Sequence, residues 1–140
     1  MTQETQPLRF LIIDDCPSRY DEFTRMLDRE GHRWMITCDP EFVETLFSSA
    51  DMVVDGILLD HDMPHRDGRE WARWLVEESL LREEGGMYIP VIITSTTGLE
   101  GVREEMLETL RKGGFKAVIN PADHIGCETE WLSWMKGALA

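Results

Sequence analysis

Acidic residues follow two apolar runs of the sequence. The pair Asp14-Asp15 comes directly after the apolar run 10–13, and Asp60 ends the largely apolar run 53–59. If both runs are strands of one parallel sheet, their carboxyl ends meet at the edge where ligands bind in such folds. Carboxylates brought together there repel one another unless a cation lies among them. The spacing therefore predicts a divalent metal site with a carboxylate poised beside it.

The composition indicates one acidic, globular domain. The chain has 140 residues, of which 42% are hydrophobic, and this suits a single domain with its own core. We expect that domain to span 1–140, with 1–7 as a flexible tail. The formal net charge of −13 favours solubility and disfavours binding of nucleic-acid phosphates, which requires a basic surface.

The cysteine and hydropathy patterns predict a cytoplasmic protein. The three cysteines are odd in number and form no C-x-x-C pair, which disfavours a disulfide framework or a zinc site. No apolar stretch reaches the roughly 18 residues of a membrane span. The segment 1–6 is polar in character, so we expect neither a signal peptide nor a membrane anchor.

Elements of two kinds alternate along the chain and must position the aspartates. Apolar runs predict strands at 8–13, 33–37, 53–59, 88–93 and 115–119. Helical spacing of apolar residues predicts helices at 17–29, 40–48, 99–112 and 128–139, and a long one from Asp67-Gly68 to Gly85-Gly86. Asp39 before Pro40 is typical of a helix N-cap, and Gly113-Gly114 of a helix end.

This alternation predicts the fold class. Five β/α units indicate an α/β protein with a doubly wound, five-stranded parallel sheet and helices on both faces. In the flavodoxin-like strand order 2-1-3-4-5, the first and third strands are neighbours at the switch point. That order would bring Asp14, Asp15 and Asp60 together.

Four motifs lie at the ends of predicted strands: Ile12-Ile13-Asp14-Asp15, Leu58-Leu59-Asp60 with Met63-Pro64 and Asp67-Gly68, Pro90–Ile93 leading to Ser95, and Val118–Pro121. On these motifs the chain resembles the receiver domain of two-component response regulators from Arg9 to its last helix. The resemblance implies that Asp60 is the phosphoacceptor and that Ser95 and Thr96 contact the phosphoryl group. It also implies that Mg²⁺ is held at Asp14, Asp15, Asp60 and the backbone near Asp62.

The chemistry of these residues agrees with the resemblance. A carboxylate can attack a phosphoryl group to form an acyl phosphate, and most of the catalysis is positioning and neutralisation of charge. Mg²⁺ prefers oxygen ligands, and it needs only one or two carboxylates beside water and phosphate. Asp15 and Asp60 suit direct ligation, whereas Asp14 suits ligation through water.

Protein partners are implied by the same resemblance. We expect a histidine kinase or another phosphodonor, an output protein, and no DNA-binding module. A homodimer is a further possibility, because receivers often pair through the fourth and fifth β/α units.

Two tryptophan pairs, Trp71/Trp74 and Trp131/Trp134, have the i, i+3 spacing of one helix face and favour core packing over an interface. Of the two helices that carry these pairs, the last one, with Trp131 and Trp134, is the more suitable docking surface for a partner.

One position departs from the receiver pattern. Receivers place a lysine just before the proline that follows strand five, and here Asn120 occupies that place. Asparagine can donate a hydrogen bond but carries no charge, whereas lysine is a point cation that pairs with phosphoryl oxygens. Lys116 lies roughly 13 Å away at about 3.3 Å per residue, so it cannot substitute directly.

A second resemblance leaves an enzymatic alternative open. Leu59-Asp60-His61-Asp62 matches the L-D-H-D motif of the cyclic-phosphate-processing receivers, and Arg19 matches an arginine that these proteins tend to carry. Those proteins are proposed to be phosphoesterases. In this chain His61 could ligate metal, act as an acid or base, or be a loop side chain at a strand end. Thr94 and Thr97 depart from that subgroup's histidine and asparagine. The alternatives to a phosphorylated receiver are therefore a metal-dependent phosphoesterase and a pseudo-receiver that works without phosphorylation.

Overall fold

Five parallel strands form one sheet in the order β2-β1-β3-β4-β5. The structure is a computed structural model that describes residues 7–49, 53–80, 89–95, 99–120 and 128–139. The predicted fold class and strand order are confirmed. The strands are β1 (Arg9–Ile13), β2 (Arg33–Thr37), β3 (Gly56–Leu59), β4 (Val91–Ile93) and β5 (Ala117–Ile119).

Helices follow the strands as the alternation predicts. They are α1 (Asp21–Arg29), α2 (Pro40–Ser48), α3 (Gly68–Leu80), α4 (Val102–Lys112) and α5 (Glu128–Leu139). Asp39 caps α2, and its side chain accepts a hydrogen bond from the backbone N–H of Glu41. No helix within the described ranges is long and apolar enough to span a membrane.

Several boundaries differ from the predicted ones, and β1, β4 and β5 each begin one to three residues later than predicted. The predicted helix 17–29 is a 3₁₀ turn over Pro17–Tyr20 before α1 begins. Gly101 has φ +77° before α4, and this left-handed conformation delays the helix from residue 99 to residue 102. The third strand begins at Gly56, three residues later than predicted. The predicted helix end at Gly85-Gly86 lies outside the described residues.

The core lies on both faces of the sheet, because alternate residues of a strand point to opposite sides. On one side Leu11 and Ile13 pack with side chains of α2, α3 and α4, including the buried Trp71. On the other side Phe10 and Ile12 pack with α1 and α5. Trp131 and Met135 of α5 are buried in that second layer, which confirms core packing over a docking surface for these two residues.

Strand register brings the ends of four strands to the same level. Ile13 is paired with Leu59, Leu59 with Ile93, and Ile93 with Ile119. Backbone N–H groups continue the ladder one residue further, and each donates to the last carbonyl of the adjacent strand. Asp60 N donates to Ile13 O at 3.0 Å, Thr94 N to Leu59 O at 2.9 Å, and Asn120 N to Ile93 O at 2.9 Å.

Gly68 sets the distance between α3 and the end of β3. Its backbone N–H donates to His61 O at 3.0 Å, and a Cβ added there would lie 2.5 Å from Asp60 O and 2.7 Å from His61 Cα. Asp67 precedes it and caps the helix by accepting a hydrogen bond from Glu70 N at 3.0 Å. The predicted start of this helix at Asp67-Gly68 is thus confirmed, and the glycine also allows a close approach of two backbones.

We expect Gly68→Ala to lower the free energy of unfolding by about 1–3 kcal/mol, because the new methyl group meets backbone atoms that cannot rotate away. Denaturant unfolding measures the change. Gly137→Ala is the matched control: no atom lies within 4 Å of its added Cβ, and alanine favours a helix by up to about 1 kcal/mol. A Gly68→Ala protein as stable as the wild type would show that the close approach is not a constraint.

Candidate functional site

Three carboxylates converge at the edge formed by the ends of β1 and β3. Asp14, Asp15 and Asp60 each offer one oxygen, and these three oxygens lie within 4.8 Å of one another. Asp14 is 2% exposed and Asp60 is 4% exposed, whereas Asp15 is exposed to solvent. The adjacency of β1 and β3 thus brings together residues that are 46 positions apart in the sequence.

Asp14 is surrounded by hydrogen-bond donors. Its Oδ1 accepts from the backbone N–H of Cys16 at 2.9 Å. Its Oδ2 accepts from Arg19 Nη1 at 2.6 Å and from the hydroxyl of Tyr20 at 2.7 Å. Because both oxygens are already bonded to protein donors, Asp14 suits contact with a metal through water more than direct ligation.

Arg19 connects the carboxylates that follow β1 and β3 to the end of β4. Its Nη1 lies 3.4 Å from Asp60 Oδ1, and its Nη2 donates to the carbonyl of Thr94 at 2.9 Å. The 3₁₀ turn over Pro17–Tyr20 allows the adjacent residues Arg19 and Tyr20 to reach the same oxygen of Asp14. The sequence pointed to Arg19 only through a family resemblance, and no sequence pattern predicted the contact of Tyr20 with Asp14.

Burial has the largest influence on the pKa of the Asp14 carboxyl, and it raises that pKa. The hydrogen bond from Tyr20 lowers the pKa of Asp14, and the negative charge of Asp60 raises it. The resulting pKa of Asp14 is about 6, above the ordinary value of 3.8. Burial, and then the charge of Asp14, raise the pKa of Tyr20 above its ordinary value, so its hydroxyl stays a donor at neutral pH.

The ends of β4 and β5 supply polar groups to the same edge. Thr94 Oγ1 lies 2.7 Å from the Tyr20 hydroxyl, and the adjacent Ser95 is buried. Asn120 is also buried, and its Oδ1 has no hydrogen-bond partner among the described residues. Ser95 and Asn120 therefore stand where the sequence predicted them, whereas Thr96 lies outside the described residues.

His61 and Asp62 lie apart from the carboxylate cluster. The imidazole is buried, with its Nδ1 2.9 Å from Asp62 Oδ1 and its Nε2 3.8 Å from Asp67 Oδ2. The side chain of Asp62 is 61% exposed and is not among the three clustered carboxylates. These contacts direct His61 toward the start of α3. A backbone ligand near Asp62 and an acid or base role for His61 stay predictions.

The carboxylate cluster fits a Mg²⁺ ion. Mg²⁺ binds oxygen at about 2.0–2.1 Å, so oxygens on opposite sides of the ion are about 4.2 Å apart. The three oxygens lie within 4.8 Å, which is close to that separation.

Comparison of the sequence with known proteins gives two informative relatives, and no protein-family model matches the chain. The polar-differentiation response regulator DivK of Brucella anthropi is 26% identical over 114 residues, which cover 81% of this chain and 84% of that protein. A protein-glutamate methylesterase/protein-glutamine glutaminase of Koribacter versatilis is 27% identical over 119 residues. That match covers 85% of this chain but only 30% of the longer protein.

Solved structures with the same fold are receiver domains. A CheY-like receiver domain protein of Methanospirillum hungatei has a TM-score of 0.66 at 20% identity, and the match covers 96% of this chain and 94% of that one. The receiver domain of a sensor histidine kinase of Pseudomonas aeruginosa holds a magnesium ion in its active site cleft. It has a TM-score of 0.62 at 21% identity, and the match covers 96% of this chain and 98% of that one. In strand order, in sequence and in three-dimensional structure, the chain therefore resembles the receiver domains of response regulators.

Proposed function

We propose that the chain is a divergent receiver domain that binds Mg²⁺ at Asp14, Asp15 and Asp60, accepts a phosphoryl group on Asp60, and signals through protein contacts. The convergence of three carboxylates at one sheet edge, beside the buried Ser95, carries this proposal. The magnesium ion in the cleft of the similar Pseudomonas receiver supports the choice of metal.

Phosphoryl transfer would use the residues of the edge as follows. A carboxylate oxygen of Asp60 forms a bond to phosphorus, while the bond from phosphorus to the donor breaks and the donor keeps that electron pair. Bound Mg²⁺ supplies positive charge that offsets the charge of the phosphoryl oxygens. The Ser95 hydroxyl can donate to one of those oxygens, and Asp15 lies at the exposed side of the cluster.

The partners of this receiver follow from the same proposal. The phosphodonor is a histidine kinase or a small acyl phosphate, and the readout is a second protein. Trp131 and Met135 are buried and Trp134 is partly covered in the second core layer, so these three side chains offer little apolar surface for a homodimer. A cytoplasmic location suits these partners.

The phosphoesterase alternative gains no support from the described contacts. It would require a general acid or base near the cluster, and His61 pairs instead with Asp62 and Asp67 at the start of α3. Thr94 carries a hydroxyl and not an imidazole at the end of β4, and that hydroxyl contacts Tyr20. We therefore keep the receiver as the proposed function.

Incubation with acetyl phosphate and Mg²⁺ should add one phosphoryl group to the protein, as measured by intact mass. Asp60→Asn should abolish the gain, because an amide oxygen is a poor nucleophile. Asp62→Asn is the matched control, since it removes an exposed carboxylate two residues away and should leave the gain intact. A wild-type protein that gains no mass, or one that instead opens a 2′,3′-cyclic-phosphate oligonucleotide, would contradict the proposal.

Asp15→Asn should lower the affinity for Mg²⁺ by on the order of tenfold or more, because it removes a direct carboxylate ligand. Asp15 is exposed, so the variant should fold normally. Isothermal titration calorimetry with Mg²⁺ measures the affinity, and Asp62→Asn again serves as control. Equal affinities of the Asp15→Asn and wild-type proteins would exclude Asp15 from the metal site.

Mg²⁺ affinity should also fall as the pH is lowered through about 6. Burial and Asp60 raise the pKa of Asp14 to about 6, so Asp14 gains a proton below that pH and no longer attracts the cation. For one competing proton, the affinity at pH 5 should be about tenfold lower than at pH 7.5. Calorimetry at both pH values measures the ratio, and Asp14→Asn should reduce it. The same ratio in wild type and variant would assign the dependence to another group.

A further inference from the structure

Among the described residues, the positive charge near Asp60 comes from Arg19. Asn120 ends β5 without a charge, and Lys116, at the opposite end of that strand, donates to Ala138 O at 2.7 Å. Among the residues that the structure describes, Arg19 is the side chain that forms ion pairs with Asp14 and Asp60. The positive charge at this sheet edge therefore comes from the turn after β1.

The guanidinium of Arg19 is held in place on two sides. Nη1 lies 2.6 Å from Asp14 Oδ2, and Nη2 donates to Thr94 O at 2.9 Å, directly before Ser95 in the chain. The Arg19 side chain is 32% exposed, so part of it faces solvent and is open to an incoming group. A guanidinium has five N–H donors, and this arrangement leaves donors for a further oxygen ligand.

The position of the guanidinium suits a phosphoryl group on Asp60. Nη1 is 3.4 Å from Asp60 Oδ1, longer than a strong charge-assisted hydrogen bond and close enough to reach an oxygen attached through phosphorus to that carboxylate. Arginine and phosphate oxygens match in geometry and can form paired hydrogen bonds. Asp60 and Ser95 lie on adjacent strands, and Arg19 contacts the ends of both.

The formal charges of the site balance only when Arg19 is counted. Three carboxylates carry three formal negative charges, and one Mg²⁺ with one guanidinium would carry three positive charges. Without Arg19 the metal-loaded site would keep a net negative charge. A phosphoryl group adds about −1.5 to −2 at neutral pH, so a metal-loaded site without Arg19 would attract it less.

We propose that Arg19 binds the phosphoryl group at Asp60 and is a catalytic residue of this site, supplying from the turn after β1 the charge that Asn120 does not supply from β5. The inference rests on the proposed function and adds a residue to it. In the phosphorylated protein, Arg19 keeps its hydrogen bond to the Thr94 carbonyl. The N–H group that faces the Asp60 carboxylate then donates to a phosphoryl oxygen.

The test compares two ligands on the full chain. Mg²⁺ alone and Mg²⁺ with beryllofluoride, a phosphoryl mimic, are titrated by calorimetry into the wild-type and Arg19→Gln proteins. We expect Arg19→Gln to lower the beryllofluoride affinity and the rate of mass gain from acetyl phosphate by at least tenfold. The affinity for Mg²⁺ alone should stay equal or rise, because a competing positive charge is removed. Arg25→Gln, which removes an exposed arginine paired with Glu22, is the matched control.

A second variant separates charge from folding. Asn120→Lys in the Arg19→Gln background places a cation at the same sheet edge from β5, and it should recover part of the lost beryllofluoride affinity. Circular dichroism verifies that each variant is folded. A folded double variant that recovers nothing would overturn the charge role of Arg19.

The remaining outcomes distinguish the two proposals. If the Arg19→Gln and wild-type proteins bind beryllofluoride with equal affinity, the inference is overturned and the proposed receiver function stands. A parallel loss of affinity for Mg²⁺ and for beryllofluoride would make Arg19 a structural partner of Asp14 and also overturn it. A wild-type protein that takes neither beryllofluoride nor a phosphoryl group would overturn the proposed function and the role of Arg19 with it.

Discussion

Electrostatic repulsion among Asp14, Asp15 and Asp60 is the constraint on which the rest of the site depends. Two of these carboxylates are almost fully buried, and burial alone disfavours their charged forms. The fold offsets this cost with donors placed around Asp14: a backbone N–H, a tyrosine hydroxyl and a guanidinium. These donors hold the carboxylates together, and they leave Asp15 and Asp60 for a divalent ion.

The sheet and its helices are arranged so that this edge can form. Parallel register aligns the ends of β1, β3, β4 and β5, and the residues after them continue the ladder. Gly68 lets α3 approach the backbone of Asp60 and His61, which no side chain at that position would permit. Core layers on both faces keep the strands in this register, because each layer buries alternate side chains of the same strands.

The candidate site has its positive charge on Arg19. Asn120 follows β5 and is buried and neutral. Arg19 contacts Asp14, Asp60 and the carbonyl of Thr94, which follow three different strands. In the proposed function, Arg19 supplies from the turn after β1 the charge that the receiver motif places after β5.

The sequence by itself determined the five β/α units, the strand order and the aspartates at the strand ends, because these follow from local hydrophobic periodicity and from the geometry shared by all parallel sheets. It also placed Ser95 and Asn120 at the same edge. Only the tertiary structure decided what each polar side chain contacts. Arg19 meets the carbonyl of Thr94 across 75 residues of sequence, and Tyr20 contacts the same residue instead of serving only as a core side chain. His61 contacts the neighbouring Asp62 and faces Asp67 at the start of α3, and it is not part of the carboxylate cluster. Such contacts depend on side-chain direction and on the packing of distant elements, and a linear pattern of residue types specifies neither.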